Sequence, residues 1–342
     1  MTDLLSVARL AGVSRATAAR TFSDPDKVRE ATRQKVYAAS KTLGFRPNYV
    51  ARQLRTQSTR ILGVMIPTLA NPVFSEQLQG MENTARLHGY SLMVATTDYD
   101  PARESVVLEQ MLRHRVDGLV LTVADARHSQ CLTLLERESL PVVLVHNPAA
   151  DCRFATVSVD NQRAMYQATR HLLSLGHIRI GMAAGPVRQS DRARLRYLGY
   201  RQAMEEQNVV PLPLIEMAHH TRVEVDMLRP WLSGAQALTA LLCSNDMLAL
   251  SAIGSLQRIG YRIPEQLSIV GFDGISLGEM VYPSLCSVVQ PRRMLGEAAI
   301  ENLMALLAGG NAASRILDFT LRHGESIAAA PLNHRTTIGE TS

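Results

Sequence analysis

From residue 61 onward the chain alternates between two hydrophobic rhythms. Short apolar runs rich in branched side chains, "ILGVMIP", "SLMVATT", "DGLVLTV" and "PVVLVH", have the character of buried parallel strands. Between them, apolar positions recur at helical spacing over Phe74 to His88, Ala102 to His114 and Cys131 to Glu138. The alternation restarts at "TVSVD" and runs on through "IRIGMAAG", "ALTALLC" and "QLSIVGF", with helices predicted over 162–175, 194–208, 250–259 and 292–307. Strand–helix alternation builds a parallel sheet covered on both faces. The restart predicts two doubly wound α/β lobes, one ending with "PVVLVH" and the other opening at "TVSVD". Ligands of such sheets bind beyond the carboxyl ends of the strands, so the crevice between the lobes is the expected small-molecule site.

The first sixty residues follow a different pattern. Leu4, Val7, Ala8 and Ala11 form one stripe of a short helix, and Gly12 supplies a permissive turn. Ser14 is a natural N-cap for a second helix, and Leu10, Val13 and Ala18 are expected to pack the pair together. "FSDPD" breaks the pattern, and Glu30 to Leu43 makes a third helix stopped by Gly44. Two short helices in a tight turn with a supporting third are the helix–turn–helix module, whose second helix enters the DNA major groove. "NYVARQLRTQ" is at most a two-turn helix, too short to be stable alone in water. The predicted organisation is therefore a head over 1–46, a hinge helix and linker over 47–60, and a two-lobed core over 61–342.

Charge sharpens this division. Residues 1–60 carry 12 Lys/Arg against 4 Asp/Glu, whereas the remainder holds 24 against 27. A basic head on a mildly acidic body suits a polyanionic partner for the head alone. No uncharged apolar run reaches membrane-spanning length. The start lacks the apolar segment and small-residue site of an export signal, so a cytoplasmic, nucleoid-associated protein is expected. Cys131, Cys152, Cys243 and Cys286 are scattered and read as reduced thiols without a metal site.

The segments "VARLAGVSRATAAR", "VREATRQKVYAASKTLGFRPNYVARQLRTQ", "RVDGLVLT", "GHIRIGMAAGP", "RYLGYRQAM", "SNDMLALSAIGSLQRIGYRIPEQLSIVGFDG" and "SVVQPRRMLGEAAIENLM" run in order across nearly the whole chain. Together they resemble the lactose-repressor (LacI/GalR) family of bacterial transcription regulators. "LANPVF" and "SLMVATTDYDP" look most like its gluconate-type members. The resemblance implies a sequence-specific DNA-binding repressor with a periplasmic-binding-protein-like core. A small carbohydrate-like effector (sugar, sugar acid or sugar phosphate) would bind between the lobes. It further implies a homodimer on a near-palindromic operator, with no cofactor and no enzymatic activity.

By the same resemblance Arg15, Ala16 and Arg20 face base edges, and Ser14, Thr17 and Asn48 contact phosphate. An arginine can read a guanine bidentately, although a solvated helix face also accounts for Arg15 and Arg20. Leu54 resembles the hinge leucine that wedges into the minor groove, flanked by Arg52 and Arg55, against the alternative of packing on its own domain. The head departs from the family pattern at Ser6, where an Asp is common, and at Ala18 and Ala19; a helix cap and a phosphate-binding hydroxyl are expected to be lost. In the crevice the resemblance assigns ligand roles to Asn71, Phe74, His146, Asp160, Arg196, Asp246 and Asp273, with Arg196 and Asp273 satisfying each other. Core packing for Phe74 and helix capping for Asp160 and Asp246 are the competing roles.

The stretch "GPVRQSDRARLRYLGY" carries Arg188, Arg192, Arg194 and Arg196, a density that favours an anionic effector; a dimer face or pairing with Glu205 and Glu206 also accounts for some of them. His219 and His220 read as ordinary loop residues. Neither a G-x-x-x-x-G-K-[ST] loop nor a G-x-S-x-G elbow occurs, and the final "HRTTIGETS" has no leucine heptads for a tetramer.

Overall fold

The computed structural model describes residues 3–45, 58–149, 153–234 and 237–331. The chain divides into two compact units, Met1–Thr59 and Arg60–Ser342.

The first unit contains α1 (Leu4–Ala11), α2 (Arg15–Ser23) and α3 (Glu30–Thr42). Val7, Ala8, Ala11, Ala18, Val36 and Ala39 form its small core, bordered by Val13, Phe22, Leu43 and Phe45. Leu10 does not join it: it lies off the 4–7–8–11 stripe of α1 and is 54 % exposed. Gly12 ends α1 in the left-handed region at φ 66°, and its N–H reaches back to the carbonyls of Ala8 and Arg9. The cap expected to be lost at Ser6 is present in another form. Asp3 Oδ1 accepts from both the Ser6 N–H and the Ser6 hydroxyl at 2.8 Å.

The second unit holds two six-stranded sheets. The first contains β1 (Ile61–Ile66), β2 (Ser91–Thr96), β3 (Gly118–Leu121), β4 (Val142–Val145), β5 (Ala155–Val159) and β11 (Arg315–Leu317) in the order β11-β5-β4-β3-β1-β2. The second contains β6 (Ile180–Ala184), β7 (Ile215–Glu216), β8 (Ala240–Cys243), β9 (Ser268–Asp273), β10 (Cys286–Val289) and β12 (Thr320–Arg322) in the order β12-β10-β9-β8-β6-β7. All pairs are parallel except β10 with β12.

Each sheet is buried on both faces, which explains the continuous apolar runs. In the first, Val64, Val120 and Val143 point to α4 (Pro72–Leu87) and α11 (Arg292–Leu307). Their neighbours Met65, Leu119, Leu121 and Leu144 point to α5 (Pro101–Arg113) and α6 (Gln130–Leu135). In the second, Met182, Leu242 and Val270 pack on α7 (Asn161–Ser174) and α8 (Asp191–Glu206). Leu241 and Ile269 pack with α10 (Asp246–Arg258), on the side of the short α9 (Val225–Leu228).

The division between lobes differs from the expected one. "TVSVD" is the fifth strand of the first sheet, and the helix over 292–307 returns to the first lobe. The chain thus passes between lobes after β5, after β10 and after β11. Hydrophobic period identifies an element's type but not the sheet that receives it, so a strictly sequential division misassigned both. Cys131, Cys243 and Cys286 are buried free thiols; burial pushes Cys131 and Cys286 up to about 12.

Candidate functional sites: an exposed helix and an inter-lobe cavity

In the first unit α2 begins at a side-chain cap. Ser14 Oγ accepts from the Thr17 N–H at 3.1 Å, and the two hydroxyls share a 2.9 Å hydrogen bond. Thr21 is fully buried on the opposite face and donates to the Thr17 carbonyl. This orientation leaves Ser14, Arg15, Ala16 and Arg20 exposed on α2, with Thr17 half-buried. Among the described residues neither Arg15 nor Arg20 forms an ion pair, whereas Lys27 and Arg33 pair with Asp24 and Glu30. Asn48, Arg52, Leu54 and Arg55 lie outside the described residues.

In the second unit a cavity opens at the carboxyl ends of both sheets, where the ligands of such sheets bind. Asn71, Phe74, His146, Arg196 and Asp273 line it, as do Tyr99, Arg192, His220 and Gln290. Local backbone geometry delivers several of them. Tyr99, His146 and Asp273 follow or end β2, β4 and β9 with φ of 61°, 68° and 114°. Such conformations are rare outside glycine and tend to cluster at functional sites. Asn71 and Ser190 cap α4 and α8, the helices that follow β1 and β6.

Asp273 is the polar centre. Its Oδ1 accepts from Gln290 Nε2 at 2.8 Å and its Oδ2 from Asn71 Nδ2 at 3.2 Å. Arg196 Nη1 stands 3.7 Å from Oδ1, the pairing expected from the sequence. Burial raises the Asp273 carboxyl above the ordinary range, opposed by Arg196 and by these amide donors. The Arg196 guanidinium lies 3.5 Å over the Phe272 ring, donates through Nε to Asn161 Oδ1 at 2.8 Å, and bonds the Ser244 carbonyl. Burial lowers it to about 10, so it remains a cation. His146 is pushed down to about 3 by burial and by Arg192 and Arg196; it meets Gln77 Oε1 at 2.9 Å. Tyr99 stacks on His220 with ring centroids 3.8 Å apart, which joins the first lobe to the second. Burial raises Tyr99 to about 12 and lowers His220 to about 4, so both rings are neutral near pH 7.

A second set of bonds ties the lobes beside the cavity. Asp191 Oδ2 accepts from the Ala126 N–H at 3.1 Å and from Asn147 Nδ2 at 2.8 Å. Arg192 Nη1 donates to the Val123 carbonyl at 2.8 Å, and Arg194 pairs with Asp125 at 3.0 Å. None of the arginines of the 188–196 stretch pairs with Glu205 or Glu206. Arg201 takes Glu205, and Tyr166 and Gln202 take Glu206.

Asp160 and Asp246 do not line the cavity. Asp160 caps α7, its Oδ1 accepting from the Arg163 N–H at 2.9 Å. Asp246 is fully buried behind the wall, accepting from Ser287 Oγ at 2.5 Å and the Ile275 N–H at 2.7 Å. A Cβ at position 271 would collide with its Oδ1, so glycine is required there. The cap of α10 is Asn245, not Asp246. Conversely, His220 is a cavity residue rather than an ordinary loop residue. Sequence period does not fix the strand ends that deliver Tyr99 and Gln290, and His220 comes from the irregular loop after β7. Among the described residues no group of three or more His, Cys, Asp or Glu side chains is placed to hold a metal. No helix there is long and apolar enough to cross a membrane.

Residues 3–48 match the family model for bacterial regulatory proteins of the lacI family, and residues 169–327 a periplasmic-binding-protein-like domain. The HTH-type transcriptional regulator GntR of Escherichia coli K12 is 34 % identical over 328 residues, 95 % of this chain and 98 % of that protein. The HTH-type transcriptional repressor CytR of the same strain is 31 % identical over 330 residues, 95 % of this chain and 96 % of CytR. Among solved structures, the lac repressor dimer bound to operator and the anti-inducer ONPF superposes with a TM-score of 0.83 at 26 % identity, covering 96 % of this chain and 99 % of that one. The CelR–cellobiose complex superposes with a TM-score of 0.70 at 25 % identity, over 95 % of this chain and 100 % of that one. With a helix–turn–helix unit, an effector-type core and relatives of this length and identity, the chain belongs to the LacI family of bacterial transcriptional regulators and is a DNA-binding regulator, not an enzyme.

Proposed function

We propose that this regulator represses transcription as a homodimer on a near-palindromic operator, and that an anionic carbohydrate in the inter-lobe cavity sets its grip on DNA. Arg15 and Arg20 read base edges from α2, Ala16 leaves room or touches a thymine methyl, and Ser14 and Thr17 engage phosphate. Residues 47–60 act as the hinge, with Leu54 as minor-groove wedge and Asn48, Arg52 and Arg55 on the backbone. The protein works in the cytoplasm on the nucleoid. Asn71, Phe74, His146, Arg196 and Asp273 contact the effector; Asp160 and Asp246 are assigned structural roles instead.

The carrying observation is a capped helix with two exposed arginines that no described carboxylate neutralises. The lac repressor's operator complex and CelR's cellobiose complex support the two halves of the assignment by similarity. The effector acts only through a difference in its affinity for two arrangements of the lobes. The test is operator selection by the purified protein, followed by Arg15→Ala and Arg20→Ala together. Each good arginine–guanine pair is worth about 1–3 kcal/mol of discrimination, so the double variant should lose at least about tenfold in specific affinity while keeping its helicity. Unchanged operator affinity refutes the head assignment.

A further inference from the structure

Among the described residues the cavity wall carries a buried cationic nitrogen that meets no acceptor. Arg192, in the first turn of α8, is 5 % exposed. Its Nη1 donates to the Val123 carbonyl at 2.8 Å and to Asp191 Oδ1 at 3.2 Å. Its Nη2 is buried and meets no acceptor, although the side chain lines the cavity. Arg196 is differently placed. Its Nε and Nη1 are bonded to Asn161 and Ser244, its charge faces Asp273, and its plane covers Phe272. Both guanidinium groups already face a carboxylate, Arg192 at 3.2 Å and Arg196 at 3.7 Å. Arg192 differs in the buried Nη2 donor that its carboxylate and carbonyl partners leave open. On the same lining Gln290 Oε1 is buried without a hydrogen bond, beside an Asp273 carboxylate that already receives two amide donors. Those oxygens suit hydroxyl donors, not an anion.

We infer that Arg192 is the specificity-determining residue for effector charge: its Nη2 takes the oxyanion of an acidic carbohydrate whose hydroxyls turn to Gln290 and Asp273. A buried cation bound to an anion by hydrogen bonds gains more than a neutral pair does. Because Nη1 of the same guanidinium is held by the first lobe's Val123 carbonyl, the anion is read by a group that exists in this pose only where the lobes meet. The inference rests on the cavity being the carbohydrate effector site, and the experiment separates the two.

Calorimetric titration of the full chain would use matched pairs differing only in the anionic group: D-gluconate with D-glucitol, D-glucuronate with D-glucose, and D-glucose 6-phosphate with D-glucose. The proposal expects at least one anion to bind at least about tenfold tighter than its neutral counterpart. It expects Arg192→Gln to bring the ratio of anionic to neutral affinity to about one, whatever the absolute affinities, and Arg192→Lys to retain part of the preference. Neutral and anionic members binding the wild type equally, or a preference that survives in Arg192→Gln, overturns the charge-reading role and leaves the effector site intact. Binding by no member of any pair overturns the carbohydrate site itself, and the charge-reading role with it. Should Arg192→Gln fail to fold, the wild-type pairs and the lysine variant decide.

Discussion

The two lobes share one plan and divide the chemistry unequally. Their sheet orders match strand for strand, so β1, β2, β4 and β5 of the first correspond to β6, β7, β9 and β10 of the second. His146 and Asp273 then occupy equivalent places at the ends of β4 and β9, both with positive φ. Asn71 and Ser190 are equivalent helix caps. Yet the first lobe gives the cavity Asn71, Phe74, Tyr99 and His146, all uncharged near neutral pH, whereas Arg192, Arg196 and Asp273 come from the second. One backbone plan can therefore supply a neutral, aromatic wall and a charged one. The formal charge comes from the second alone, while the Tyr99–His220 stack draws one ring from each.

Three substitutions test how deep that division goes. Phe74 is a wall residue of the neutral lobe and also part of its core, packed with Val73, Met81 and Leu295. Phe74→Ala should lower unfolding stability by about 3–5 kcal/mol in urea titrations. A loss confined to ligand affinity, with stability unchanged, would detach the aromatic wall from the core. Asp246 belongs to the charged lobe but faces inward, and burial, then the Asp273 charge, raises it from 3.8 to about 7. Its folded pKa exceeds the unfolded one, so its contribution favours folding below about pH 4 and is lost as pH rises through about 7. Asp246→Asn should remove that slope, gaining on the wild type by about 2–4 kcal/mol between pH 4 and pH 8. Parallel stability–pH curves for the two proteins would contradict a buried ionisable Asp246. Tyr99→Ala removes the ring that stacks on His220 across the lobes. An effector that binds the joined lobes should lose about 0.5–1.5 kcal/mol of affinity, measured by calorimetry. An unchanged affinity would place the stack outside the recognition surface.

Eight of the twelve described strands were legible in the sequence, whereas β7, β10, β11 and β12, none longer than four residues, were not. Strands such as "ILGVMIP" and helices such as 292–307 follow from hydrophobic period alone, and Ser14 caps its helix as its residue type predicts. Membership was not legible: nothing local in "TVSVD" distinguishes a fifth strand of one sheet from the first strand of another. The site divides the same way. Residues in recognised motifs, such as Arg196 and Asp273, are at the cavity. Asp246 carries the right chemistry in the right motif, but Gly271 and Ser287 draw it behind the wall. Tyr99 and Gln290 reach the cavity through turns at strand ends, a geometry set by tertiary packing and not by neighbouring residue types. His220 arrives from a loop of no recognisable pattern.

The threefold passage of the chain between the sheets makes neither lobe a contiguous stretch of polypeptide. A fragment ending at residue 160 would hold five of the first sheet's six strands but leave Val120, Val143 and Val157 without the helix that covers them from 292–307. Such halves should not fold when expressed separately. During synthesis the first lobe must wait for the last third of the chain before its apolar face is closed, so the site between the lobes is among the last parts of the molecule to be built.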